Sequence, residues 1–172
     1  MAKRILETKR LTLEELDETR FEPLAQLLAN PRVHKYFPKV LSREESLEFL
    51  QQVQERQLRD GVSFWAVLRT PDRAFLGICG LLRQVVDNRD ELEVGYRISD
   101  EYWGNGYGTE AAAGCMQYAF TKLKAPSVIS LILPENLPSQ RVAEKNGLHV
   151  EKEAFVHGNV HRVYRKYGNT TV

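Results

Sequence analysis

Glu91-Leu92-Glu93-Val94-Gly95-Tyr96-Arg97-Ile98, followed closely by Tyr102-Trp103-Gly104-Asn105-Gly106-Tyr107-Gly108-Thr109-Glu110, is the part of this 172-residue chain that sets its architecture. The first part alternates strictly and predicts a strand. Leu92, Val94, Tyr96 and Ile98 face a core, and Glu91, Glu93, Gly95 and Arg97 form a polar face. A glycine-rich turn then leads into a helix from Thr109-Glu110, with Ala112, Cys115, Met116, Ala119, Phe120 and Leu123 as its buried stripe. Strand, glycine loop, helix is an arrangement in which backbone N–H groups and the positive end of a helix dipole hold an anion. Without β-carbons at Gly104, Gly106 and Gly108, a ligand can approach several donors closely. The loop is not a Walker phosphate loop, because no Gly-Lys-Ser/Thr follows, and its third glycine is misplaced for the dinucleotide fingerprint. A turn that only connects strand to helix is the plain alternative.

Before this stretch, Phe64-Trp65-Ala66-Val67-Leu68 and the run from Phe75 to Leu82, joined by a turn at Thr70-Pro71-Asp72-Arg73, read as two strands apolar on both faces and therefore interior. Ser42 and Glu45 form a capping box for a helix carrying Leu47, Leu50, Val53 and Leu58 and ending near Gly61. A helix over about 19–29 precedes it, and Leu11, Leu13 and Leu16 mark a first strand. After the loop come a strand from Val128 to Ile132, a helix from about Asn136 to Asn146 closed by Gly147, and a hairpin turning at His157-Gly158-Asn159. The expected class is α/β of the α+β type: a single domain over 1–172 with a mostly antiparallel, twisted mixed sheet flanked by helices.

The 24 Lys plus Arg balance 23 Asp plus Glu to a formal charge of +1, with both signs mixed, which speaks against nucleic-acid binding through bulk charge. No apolar run of about 18 residues occurs, and no signal core follows Lys3-Arg4, so no membrane contact and a cytoplasmic location are expected. Cys79 and Cys115 sit in apolar stretches without a second Cys or a His at metal-ligand spacing nearby. They read as two inert buried thiols, with neither a disulfide framework nor a metal site.

Three segments in order, Glu93–Ile98, Tyr102–Ala111 and the run from Pro134-Glu135-Asn136 to Asn146-Gly147, resemble the GNAT family of acyl-CoA-dependent N-acyltransferases. Within it they are most similar to the RimJ/RimL-like branch, the ribosomal-protein alanine N-acetyltransferases. The likeness runs from Glu7-Thr8-Lys9-Arg10-Leu11 to Val163-Tyr164. The resemblance implies a sheet splayed between the strands near 91–98 and 127–132, with the pantetheine arm of acetyl-CoA in the opening. Trp103, Gly104, Asn105, Gly106, Tyr107, Gly108 and Thr109 would cradle the pyrophosphate, Ile98 would offer backbone hydrogen bonds to pantetheine, and Asn136 would touch the cofactor beyond the splay. Trp103 stands where the family commonly has Arg or Gln, a variation shared by this branch. The Tyr acid of many members aligns with Ala143 and is missing. Ser139, where the branch carries Ser, is left to hydrogen-bond or protonate the thiolate, with a helix-start hydroxyl as its alternative role.

Acyl transfer from a thioester to an amine needs a neutral amine, a polarised carbonyl and a protonated leaving thiolate. Glu93, on the polar strand face, is the first candidate base and Glu91 the second; both could equally be solvated or pair with Arg97. A backbone N–H near Val94 to Arg97 would polarise the carbonyl. Trp65 and Phe64 read as core, and His34 and Tyr36, in the link that shapes the acceptor site of this family, as packing or surface residues. The expected function is direct transfer of acetyl from acetyl-CoA, without a metal or a Cys nucleophile, to a primary amine, foremost a protein or peptide N-terminus, by a monomer or homodimer. A small-molecule amine acetyltransferase and a non-catalytic acyl-CoA-binding module are the alternatives.

Overall fold

The computed structural model describes residues 2–168. Its strands, numbered in chain order, are β1 (Arg4–Glu7), β2 (Leu11–Glu15), β3 (Phe64–Arg69), β4 (Phe75–Val86), β5 (Arg89–Ile98), β6 (Ser127–Ile132), β7 (His149–Val156) and β8 (Asn159–Tyr167). They form one sheet in the order β1-β2-β3-β4-β5-β6-β8-β7. Every neighbouring pair is antiparallel except β5 and β6, which run parallel. The helices are α1 (Phe21–Leu28), α2 (Arg43–Asp60), α3 (Tyr107–Thr121) and α4 (Leu137–Lys145).

β3 and β4 are apolar on both faces because both faces are covered. On one side Trp65, Val67, Cys79 and Leu81 pack with Ala112, Cys115, Met116 and Ala119 of α3. On the other, Ala66, Leu68, Ile78 and Leu82 meet Leu24, Leu27 and Leu28 of α1 and Leu50 and Val53 of α2. Trp65 is fully buried and donates its indole N–H to Gln57 Oε1 at 2.9 Å, as a buried indole requires. The Ser42–Glu45 capping box is present. The two thiols are free and buried, and they meet across the sheet–α3 interface with their sulfurs 3.6 Å apart, a contact no spacing in the sequence announces.

Three expectations change. β1, four partly exposed residues, carries no periodic signal and appears only through its pairing with β2. Leu47 and Leu58 do not join the buried α2 stripe, and Leu58 is 89% exposed. Leu58, five residues beyond Val53, is turned by about 140° on a 3.6-residue helix. α3 starts at Tyr107 rather than Thr109, so Gly108 is helical and not part of the turn. Among the described residues no helix is long and apolar enough to cross a membrane.

Candidate functional site

β5 and β6 touch in the ladder only at Glu93↔Ile129, although β4 pairs with β5 all the way to Ile98. Beyond that point the parallel strands part. Two side chains close the fork: Leu131 N–H donates to Glu93 Oε2 at 3.0 Å, and Ser130 Oγ donates to Val94 O at 3.3 Å. Backbone groups alternate edges along a strand, so with Val94 O directed at β6, the N–H and C=O of Tyr96 and Ile98 also face the opening. The Ile98 carbonyl accepts the Trp103 indole N–H at 2.8 Å, which occupies one of its two lone pairs and leaves the Ile98 N–H free.

The opening is one end of a cleft of about 530 Å³. Its walls come from Tyr96, Arg97 and Ile98 of β5, the loop and first turn of α3, Asn136, Pro138, Ser139, Val142 and Lys145 in and before α4, and Arg32, Val33, Lys35, Tyr36 and Phe37 in the link between α1 and α2.

At the loop end, Gly104 and Gly106 have φ of 82° and 79°, left-handed values that a residue with a β-carbon adopts only under strain. They turn the chain so that α3 begins with Gly106 as its N-cap, and the first intrahelical bond is Glu110 N–H to Gly106 O at 3.0 Å. The N–H groups of Tyr107, Gly108 and Thr109 precede that bond and have no helical acceptor. Asn105 lies outside the cleft wall: its side-chain amide donates to Tyr102 O and Trp103 O at 3.0 and 3.2 Å and braces the loop. The Glu110 carboxylate, which would repel an anion at this helix end, is held by Thr8 Oγ1 and by the Arg10 backbone N–H and Nε at 2.5, 2.8 and 2.7 Å.

At the α4 end, Asn136 caps the helix by accepting Ser139 N–H at 3.3 Å, which leaves its NH₂ for a ligand. Ser139 Oγ faces the cleft beside the Tyr96 phenol. That hydroxyl is buried without a hydrogen-bond partner of good geometry, and burial pushes its pKa up to about 12, with Ser139 pulling it partly back.

Glu93 is not on an open polar face. It is 9% exposed at the closed end of the fork, where Gln84 Nε2 and Leu131 N–H donate to its two oxygens at 3.0 Å each. Burial pushes its pKa up to about 7 despite these donors, so it can exchange a proton near neutrality. Glu91 is removed from the site altogether. Arg165 grips both of its oxygens, with Nη1 3.0 Å from Oε1, and that hydrogen-bonded ion pair holds its carboxyl below the usual range.

Arg97 pairs with neither glutamate. Its guanidinium carbon lies 3.9, 5.1 and 5.7 Å from the ring centres of Phe37, Phe49 and Phe64. Its Nη1 is 3.1 Å from His34 Nε2, while His34 Nδ1 is 3.0 Å from Lys39 O. Both contacts are satisfied by a neutral imidazole that donates from Nδ1 and accepts at Nε2, and burial, foremost, lowers the His34 pKa.

Of the residues singled out in the sequence, Ile98, Trp103, Gly104, Gly106, Tyr107, Gly108, Thr109, Asn136 and Ser139 line one cleft. Tyr96 and Arg97 were not singled out. Alternation places Tyr96 on the core face, and it gives no sign of where the core ends and the cleft begins. No cluster of three His, Cys, Asp or Glu suited to a metal occurs among the described residues.

The acetyltransferase (GNAT) domain family model matches residues 10–149. The uncharacterized protein YkkB of Bacillus subtilis (strain 168) is 35% identical over 152 residues, 88% of each chain. An acetyltransferase from Agrobacterium tumefaciens str. C58 superposes with a TM-score of 0.82 at 25% identity over 94% of this chain and 93% of its own. The ribosomal L7/L12 alpha-N-protein acetyltransferase RimL, solved in complex with coenzyme A, has a TM-score of 0.77 at 17% identity over 96% and 98% of the two chains and so shares the fold.

Proposed function

Because the chain belongs to the GNAT family of acetyltransferases, N-acetyltransferases that use acetyl-CoA, we propose that its acceptor is the primary amine of a protein or peptide N-terminus. The observation that carries the reading is the continuity of the cleft. It runs from unpaired N–H donors at the start of α3, along the open edge of β5, to the link between α1 and α2. The fold shared with RimL, an alpha-N-protein acetyltransferase, supports the N-terminal acceptor. A cytoplasmic location, a single domain over 1–172 and action as a monomer or homodimer complete the reading; Met1 and residues 169–172 lie outside the described residues.

Bound acetyl-CoA supplies the acetyl thioester. The Tyr107, Gly108 and Thr109 N–H groups, with the dipole of α3 behind them, suit its diphosphate, and the Asn136 NH₂ and the β5 edge at Tyr96 and Ile98 suit its amide arm. The cavity offers room, the loop glycines leave the donors uncovered, and the orphaned Tyr96 hydroxyl provides a polar group where the sulfur would lie. Tyr96, protonated at neutral pH as any phenol is, takes over the donor role left by Ala143, with Ser139 beside it to orient or relay the proton. Glu93 acts as base through water from the closed end of the fork, and a β5 backbone N–H polarises the carbonyl.

Titration calorimetry of acetyl-CoA, beside a Gly106→Trp variant, tests the cradle. Wild type binds and the variant does not, since an indole side chain at a φ of 79° strains the turn and crowds the donors. CoA release with a panel of N-terminal peptides then tests the acceptor. A protein that binds no acetyl-CoA removes the reading at its root.

A further inference from the structure

We propose that Arg97 is a docking site for a carboxylate on the acceptor, so that this enzyme selects amines carrying an acidic group close to the reacting nitrogen. The inference rests on the acetyltransferase reading above and adds the class of acceptor.

Arg97 leaves β5 on the face opposite Tyr96, toward the α1–α2 link and away from the phosphate cradle. A guanidinium keeps its charge in a protein. Here no carboxylate among the described residues balances it: it forms no salt bridge, its neighbour His34 is neutral, and its Nε is buried without a hydrogen-bond partner. Three phenylalanine rings attract the charge but accept none of its N–H bonds in the way a carboxylate does. The His34 bond fixes Nη1 and Nε is buried, which leaves Nη2 as the guanidinium terminus open to the cleft.

The rest of the wall agrees in sign. The charged residues lining the cleft are Arg32, Lys35, Arg97 and Lys145, and no Asp or Glu is among them. Arg32 is already paired with Asp100 at 3.0 Å, and Lys35 and Lys145 are exposed, where water solvates their charge. Arg97 is thus the half-buried cation in the cleft wall that lacks a counter-charge. A carboxylate reaching Nη2 from the cleft would supply the missing counter-charge to a guanidinium whose orientation is preset. A lining with four cations and no carboxylate also disfavours polyamines, which would find no counter-charge in it.

The matched chemistry has two sources: an Asp or Glu side chain at the first or second residue of a peptide, or the carboxylates of a free amino acid. The test measures CoA release with peptide pairs differing only in Asp against Asn or Glu against Gln at those positions, and in parallel with free glutamate against its diamide. We expect the acid to exceed its amide by about tenfold or more in kcat/KM, mostly through KM, the effect of one charge-assisted hydrogen-bonded pair. Arg97→Gln brings the ratio to about one, and Arg97→Lys restores part of it. The ratio is internal to each protein, so a change in overall activity does not obscure it, and the wild-type ratio is decisive should a variant fail to fold. Equal use of acid and amide by wild type overturns the inference alone. A protein that binds acetyl-CoA but releases no CoA with any of these amines overturns the acceptor reading and the inference with it.

Discussion

Glu93→Gln should abolish a loss of stability that the wild-type protein suffers between pH 4.5 and 8. In the unfolded chain this carboxyl titrates at about 4.5; in the folded protein, burial at the β5–β6 fork holds it protonated up to about 7. The folded state therefore binds the extra proton across this interval. The stabilising contribution is complete below 4.5 and is lost as the pH rises through 7. At about 1.4 kcal/mol per pH unit the loss is about 3 kcal/mol, or roughly 6–12 °C in Tm for a chain of this size. Gln keeps an oxygen for Leu131 N–H and can adjust to Gln84, so the fork survives the change. The assay is urea unfolding of both proteins at half-unit steps from pH 5 to 8.5. Subtracting the variant's curve isolates Glu93 from His34, whose lowered pKa tilts the wild-type curve the opposite way. The difference should grow steadily and level off above 7. A difference that stays constant across the range means that Glu93 ionises normally, and it would remove the desolvation argument together with the base assigned near neutral pH. If Glu93 is the base, the wild-type pH–rate profile also rises through about 7, and this limb vanishes in the variant.

Tyr96→Phe should lower kcat by about 10- to 100-fold with acetyl-CoA affinity within about twofold of wild type, measured by stopped assays and calorimetry; an unchanged kcat would leave Ser139 or water as the proton source. Glu91→Gln should cost about 2 kcal/mol in urea unfolding, because Arg165 keeps Ser127 Oγ but only the partly exposed Glu151 as a counter-charge, while turnover per folded molecule stays at the wild-type level. The His34 imidazole, followed by NMR, should protonate below 6.5 in the folded protein, so that acid below that value weakens the packing of the α1–α2 link; a titration at or above 6.5 contradicts the neutral tautomer that bonds Arg97.

Much of this architecture is local and therefore readable. Ser42 and Glu45 announce a helix start because both partners of the box lie within one turn, and Phe64 to Leu82 reveal two covered strands because burial on both faces removes polar residues from both parities. Gly104 and Gly106 mark the turn into α3 because their left-handed backbone restricts residue type, whatever else surrounds them. Asn105, between them, has no such restriction, and its inward amide follows from the shape of the finished loop. The functional reading depends on what the chain brings together from afar. Alternation gives Glu91, Glu93 and Arg97 one face of β5 and is silent on what covers that face. At Glu91 it is Arg165 from β8, at Glu93 the fork and Gln84, and at Arg97 three phenylalanines and a histidine from α2, β3 and the α1–α2 link. One strand face therefore carries a structural ion pair at Glu91, a carboxyl tuned toward neutrality at Glu93 and, past Gly95, an unbalanced cation at Arg97. The differences arise from the divergence of β5 from β6 after Glu93: before the fork a charged side chain finds a protein partner, and beyond it the partner is left to the acceptor.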